Sequence, residues 1–195
     1  MNLAKFQHAV QLFDEANSKD PKQETFEGKS YPKELLYAER MTQVLQSFEP
    51  NASEALQLAA RCQHICRWES ARDSYEMNRT GYLLWRQDLK KFHAQKSTEI
   101  LEKVGYEKQT IERVAFLVQK KQLKRDPETQ LLEDVICLVF LEFYFDPFAE
   151  KYSEEKLIDI VQKTWRKMSE RAHSEALKLS FSKPALALLS KALNL

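Results

Sequence analysis

A chain of 195 residues that is 43% hydrophobic and 30% charged has enough apolar side chains for a packed core and is too apolar to remain disordered. Its formal net charge of +1 excludes a global electrostatic pull toward nucleic acid or an acidic membrane, so any such attraction has to come from a local patch. Three glycines and six prolines leave few positions for the positive-φ turns that hairpins need, which argues against many tight β-turns and for helices.

The first twenty-one residues, MNLAKFQHAVQLFDEANSKDP, lack an apolar signal core and carry acids early, unlike a signal or transit peptide, so the cytoplasm is the expected location. The pattern predicts a first helix over Leu3 to Ala16 and a second over Pro32 to Phe48, the latter with the stripe Tyr37, Met41, Val44, Leu45 and Phe48. Asn51 or Ser53 can cap a third helix over Glu54 to Trp68. Its sequence, EALQLAARCQHICRW, is apolar or small on nearly every side, as in a helix central to its domain. A loop over Glu69 to Tyr82 ends at Gly81, and a long fourth helix comes next over Leu83 to Val104, with Gly105 suited to the C′ position. A fifth covers Lys108 to Gln122. Asp126-Pro127 opens a sixth that runs to Phe145, Ser153 caps a seventh to His173, and Ser182 with Pro184 starts a short last one. The longest apolar run, Leu131 to Phe145, is interrupted by Glu133, Asp134 and Glu142 and is too short and too charged to span a membrane. Cys62, Cys66 and Cys137 all fall in apolar runs and read as buried free thiols, because a lone CxxxC pair is too little for a zinc site. With no repeat and no Gly/Ser or Pro-rich linker, the chain reads as one all-α domain over residues 1–195, with a core at 31–146 and the terminal helices packed on it.

Burying a polar group without a partner costs several kcal/mol, on the order of 2–7, so polar residues inside apolar helices need an explanation. Asp134 sits in LLEDVICLVFLEFYF, which faces protein over most of its circumference. It is either a buried acid paired with an arginine or capping a backbone group, or a metal ligand or catalytic acid. His64, after Gln63, lies in the all-apolar third segment. His93 shares a stripe with Leu89, Lys96 and Ile100 at helical spacing. Each histidine is either a partnered core residue or a ligand. Two imidazoles and a carboxylate together suit a divalent transition metal: Mn, Fe, Co, Ni or Zn.

Between His64 and His93 the chain is rich in cations. Arg67, Arg72, Arg79, Arg86, Lys90 and Lys91 alternate with Trp68, Tyr75, Tyr82 and Trp85. Arginine forks bind phosphate bidentately and aromatic faces stack bases, so a nucleotide or other phosphate fits here. The competing reading is a solvated basic loop balanced by the 29 acids of the chain.

The order of AARCQHICRW, KKFHAQKSTEIL and LLEDVICLVFLE resembles the HD superfamily of metal-dependent phosphohydrolases, over about residues 31 to 146. The resemblance implies a metal held by His64, His93 and Asp134, with Glu39 of YAERM as a fourth ligand, although Glu39 lies off the apolar stripe of its helix. It departs from the family pattern in placing Gln63-His64 where His-Asp is expected, and in having no counterpart of the first His. It implies hydrolysis of a nucleotide or small phosphoester, with Arg67, Arg72, Arg79 and Arg86 as phosphate clamps and Lys96 or Glu142 in proton transfer. A second resemblance covers nearly the whole chain. FDEANSKDP, QHICRW, GYLLWR, FHAQK, LEDVICLVFLE and KTWRKM are similar to a family of domain-of-unknown-function proteins, some labelled glutamyl-tRNA synthetase. That label does not fit a chain with no HxGH-like pattern and no KMSKS loop. The rival to the enzyme reading is a non-catalytic helical module that binds RNA or a protein partner through the basic aromatic loop.

Overall fold

The first helix ends on a residue that anchors two later segments. In the computed structural model, which describes residues 2–194, α1 spans Leu3–Asn17 and closes on a completely buried asparagine. Asn2 caps its start by accepting the Lys5 N–H. A short hairpin comes next, β1 (Gln23–Phe26) antiparallel to β2 (Lys29–Pro32), with Phe26 opposite Lys29 and Gln23 opposite Pro32. Its two-residue turn, Glu27-Gly28, has positive φ at both positions, 49° and 75°. That is the twist a two-residue hairpin needs, and only one glycine supplies it. One tight turn in a mostly helical chain accords with the expectation that such turns are few.

Helix α2 (Lys33–Phe48) has no side-chain cap at Pro32. Asp20 replaces it from outside: its carboxylate accepts the Glu34 N–H at 3.1 Å and the Lys22 N–H at 2.9 Å. Arg40 of α2 pairs with Glu24 of β1 and lies 4.9 Å over the Phe26 ring, which fixes the hairpin against the helix.

Helix α3 (Glu54–Arg61), capped by Ser53, is half as long as expected. Apolar periodicity continues past Arg61, but the backbone does not. Cys66 takes a left-handed conformation (φ 52°), and its N–H goes to the Asn17 side chain at 3.0 Å rather than to a helical carbonyl. A tertiary hydrogen bond thus overrides local propensity. Gln63, His64 and Ile65 lie in the turn so formed, before a 3₁₀ turn over Arg67–Glu69 and another over Arg72–Ser74.

Helix α4 (Arg79–Val104) starts four residues earlier than expected, because Gly81 lies inside its first turn instead of ending the loop before it. A Cβ at Gly81 would come within 2.2 Å of the Glu76 carbonyl oxygen, so only glycine lets the loop approach this closely. Gly105 ends α4 at φ 83°, as its position predicts. Helix α5 (Lys108–Val118) completes a compact unit that runs to Gln122. Its core holds Phe13, Met41, Leu45, Leu56, Leu58, Ile65, Leu101 and Leu117, each contributing about 1.5–3 kcal/mol by leaving water.

A second compact unit begins at Leu123, within what the sequence reads as one domain. Asp126 and Pro127 open α6 (Pro127–Val139) as expected. The expected continuation to Phe145 loosens into a π-helical stretch, Phe140–Tyr144, before α7 (Phe145–Ala149). The expected seventh helix is two: α8 (Glu154–Trp165) and α9 (Glu170–Ala176), the latter capped by Ser169. Ser182 caps α10 (Lys183–Leu193). Among the described residues the fold is mostly helical, with ten α-helices, more than the sequence suggests because two of its long segments are each broken. No described helix is long and apolar enough to cross a membrane.

The Asn17 carboxamide ties three segments together, since its nitrogen also donates to the Glu34 carbonyl at 3.4 Å. Removing it in Asn17→Ala strands the buried Cys66 N–H. The expected loss is about 1–3 kcal/mol of stability, read as a lower urea midpoint. An unchanged midpoint would show that the turn after α3 holds without this bond.

A buried imidazole pair and its surroundings

Sequence alone places His64 and His93 in buried helical positions; the fold brings them together from a turn and a helix. His93 projects from the middle of α4 and is 3% exposed. Its Nδ1 lies 2.8 Å from the Ile65 carbonyl oxygen. A carbonyl only accepts, so Nδ1 carries the proton and Nε2 keeps its lone pair. That Nε2 is buried and has no hydrogen-bond partner. The His64 ring centroid lies 5.7 Å from that of His93. Burial, and after it the neighbouring His64, pushes His93 down to about 3, so it is neutral at pH 7.

His64 is held by partners of three kinds. The Tyr37 ring stacks on it with centroids 4.2 Å apart and planes 13° from parallel. Arg67 Nη1 lies 3.3 Å from Nδ1 and 3.2 Å from Nε2. Glu34 Oε2 lies 3.4 Å from Nδ1. The His64 side chain keeps 23% of its surface open to solvent, so this is where the cluster meets water. Burial and then the charges of Arg67, Lys120, Arg86 and Lys33 hold its pKa well below the ordinary histidine value. Burial raises the pKa of Glu34, and Arg67 partly offsets that. His64 thus lies against one arginine and one buried acid.

The remaining sequence candidates divide. Arg67 belongs to this cluster and also lies 5.3 Å over the Trp85 ring, and the charge of Arg86 reaches His64. Arg72 does not act as a free clamp: its guanidinium donates to the carbonyls of Tyr75, Glu76 and Asn78 at 3.1, 2.7 and 3.2 Å and holds the loop before α4. Arg79 is exposed at the first position of α4. Lys96 is paired with Glu69 at 2.9 Å. Glu39 is exposed; the acid of α2 that reaches His64 is Glu34. Glu34 has a sequence signal. It lies three residues before Tyr37 and extends the same apolar stripe by one turn toward the N-terminus.

Asp134 and Glu142 belong to the second unit. Asp134 is 1% exposed, as its apolar run predicts. One carboxylate oxygen accepts from the Ser169 N–H at 2.8 Å and from Gln130 at 2.9 Å, and the other accepts from the Ser169 hydroxyl at 2.6 Å. It is thus the buried acid that satisfies a helix start, which is the structural alternative left open for it. Glu142 is exposed in the π-helical stretch. Among the described residues, no group of three or more His, Cys, Asp or Glu is placed to hold a metal ion. The donors present do not fit the metal centre that the HD resemblance implies.

The imidazole pair also sets a pH dependence. A histidine that unfolds from a pKa of about 3 toward its ordinary value of 6.5 takes up protons on unfolding between those limits. Its contribution is complete above about 6.5 and is lost as pH falls toward 3, so stability rises with pH across that window. Glu34, whose pKa is raised, works in the opposite sense. Replacing His93 by Gln should flatten the urea-midpoint profile between about pH 4 and 6.5; a profile as steep as wild type would mean that His93 is not buried in neutral form.

Comparison with known proteins gives a family and no more. No curated protein and no solved structure matches the chain. A family model described as "Domain of unknown function (DUF4202)" matches residues 7–189, nearly the entire length. The chain belongs to the DUF4202 family of domains of unknown function.

Proposed function

We propose that the unit ending at Gln122 binds a nucleotide or small phosphoester against His64, Arg67 and Arg86, and acts on it as a phosphohydrolase. The observation that carries this reading is the Arg67 guanidinium, 3.3 Å and 3.2 Å from the two ring nitrogens of the partly exposed His64, with the Glu34 carboxylate 3.4 Å away on the same imidazole. Side-chain cations, rather than a metal, neutralise the phosphate in this reading, with Arg67 supplying the fork that matches its geometry. His93 presents a fixed, neutral lone pair at Nε2. Its burial and lowered basicity make it an acceptor inside the cluster, behind His64, rather than a general base at pH 7. The hydrolytic step and the HD-like arrangement of helices rest on the resemblance alone.

Calorimetric titration with inorganic pyrophosphate and a set of phosphoesters, beside an assay for released phosphate, tests it. Wild type should bind at least one of these ligands, and Arg67→Ala should weaken it about ten-fold or more, the loss expected for one charge-assisted hydrogen bond. Binding without turnover would leave the site and remove the enzyme; no binding would remove both. Metal content by plasma mass spectrometry is a second check. Protein purified without chelator should hold well under one equivalent of Mn, Fe, Co, Ni or Zn. A full equivalent, lost in His64→Ala and His93→Ala, would overturn the metal-free account.

The lack of a three-donor group among the described residues also favours a second reading, a non-catalytic module that binds RNA or a protein. RNA binding that falls with salt, ignores chelator and survives His93→Gln would favour it.

A further inference from the structure

The cluster around His64 does not end at Arg67. Two rings of the start of α4 lie in a row between two arginines of the segment before it. The Arg67 guanidinium lies 5.3 Å over the Trp85 ring, and the Trp85 ring centroid is 6.0 Å from that of Tyr82. The Arg72 guanidinium lies 6.0 Å from the Tyr82 ring centroid. Trp85 is buried and locked, with its Nε1 donating to the Ser70 carbonyl at 3.0 Å. Tyr82, by contrast, is 43% exposed, and Met77, Leu83 and Leu84 near it in the chain are at least half exposed. One end of this strip is thus cationic and lies at the proposed phosphate position. The other is a flat ring, open to solvent and backed by Arg72, which is itself fixed through three carbonyl bonds.

A large apolar group left open beside a charged site costs hydration free energy that a bipartite ligand would recover. A sugar phosphate or pyrophosphate would fill only the cationic end. An aromatic ring joined to a phosphate would fill both, because ring-on-ring stacking needs a flat partner and the Arg72 cation favours a π-face. Two steps of 5.3 and 6.0 Å separate Arg67 from Tyr82, within the span of a nucleotide from phosphate to base. We propose that Tyr82 is the platform for the base of a nucleotide whose phosphate lies at Arg67, which makes the ligand of this site a nucleotide rather than an unadorned phosphoester. The proposal rests on the phosphate-site reading and adds a discriminating residue to it.

The test compares adenosine monophosphate, ribose 5-phosphate and inorganic pyrophosphate by calorimetry on the full chain and on Tyr82→Ala, Tyr82→Phe and Arg67→Ala. Wild type should prefer the nucleotide to ribose 5-phosphate by about ten-fold or more, the usual worth of one stacked base. Tyr82→Ala should erase that preference and leave ribose 5-phosphate and pyrophosphate as they were. Tyr82→Phe should keep it, which separates stacking from loss of the hydroxyl. Arg67→Ala should weaken all three ligands. Equal affinity of wild type for nucleotide and ribose 5-phosphate, or a Tyr82→Ala loss shared by every ligand, overturns the platform while the phosphate site stands. Absence of binding by all three ligands overturns both.

Discussion

One carboxamide sets the geometry of the first unit. The Asn17 side chain is buried at the end of α1 and reaches in two directions, to the carbonyl of Glu34 at the start of α2 and to the N–H of Cys66 beyond α3. Those two contacts fix the origin of the helix that carries Glu34 and Tyr37, and the end of the turn that carries His64. Without them the third segment has no local reason to leave the helical conformation at Arg61. Asp20, three residues along, adds its own bonds to the backbone of Glu34 and Lys22. A short polar stretch with no helical pattern thus positions both the helix that carries Tyr37 and the turn whose His64 stacks on it. Buried polar groups that are fully partnered specify one arrangement, because every alternative leaves a donor or an acceptor unmet.

This is also where legibility in the sequence divides. Helix boundaries are readable at several places where a Ser or Asp stands before a helical run or a glycine after one, as at Ser53, Asp126, Ser182 and the C′ glycine Gly105. Those signals act within about four residues and do not depend on the rest of the chain. Helix ends set by distant partners are not readable. Nothing near Arg61 announces that Asn17 will capture Cys66, and nothing near Trp165 announces that Ser169 will be held by Asp134. The hairpin is hidden for a different reason. A count of glycines bounds how many tight turns a chain can make, yet Gly28 alone suffices for one, with Glu27 tolerating the left-handed position beside it.

The candidate site shows the same split. That His64 and His93 are buried polar residues of one region is legible, since each interrupts an apolar stripe. That they face each other is not, because one lies on a helix and the other on a turn whose sequence reads as helix. The burial of Asp134 is legible too, and its chemistry is that of an acceptor for a helix start. A carboxylate inside an apolar run has to be satisfied, and the sequence does not say whether a metal, an arginine or a backbone N–H does so. Glu34 escapes notice because the apolar stripe of α2 becomes obvious only from Tyr37, one turn later.

Arg72 has a consequence for the energetics of recognition. Loops that meet ligands are usually mobile, and ordering them on binding subtracts from affinity. Here one guanidinium closes a knot over the carbonyls of Tyr75, Glu76 and Asn78, and Gly81 lets the helix press against that knot at a distance no other residue permits. The segment before α4 is therefore ordered in advance. Whatever docks on the first turns of α4 meets a surface whose conformational entropy was already surrendered during folding, so a modest contact area can hold it.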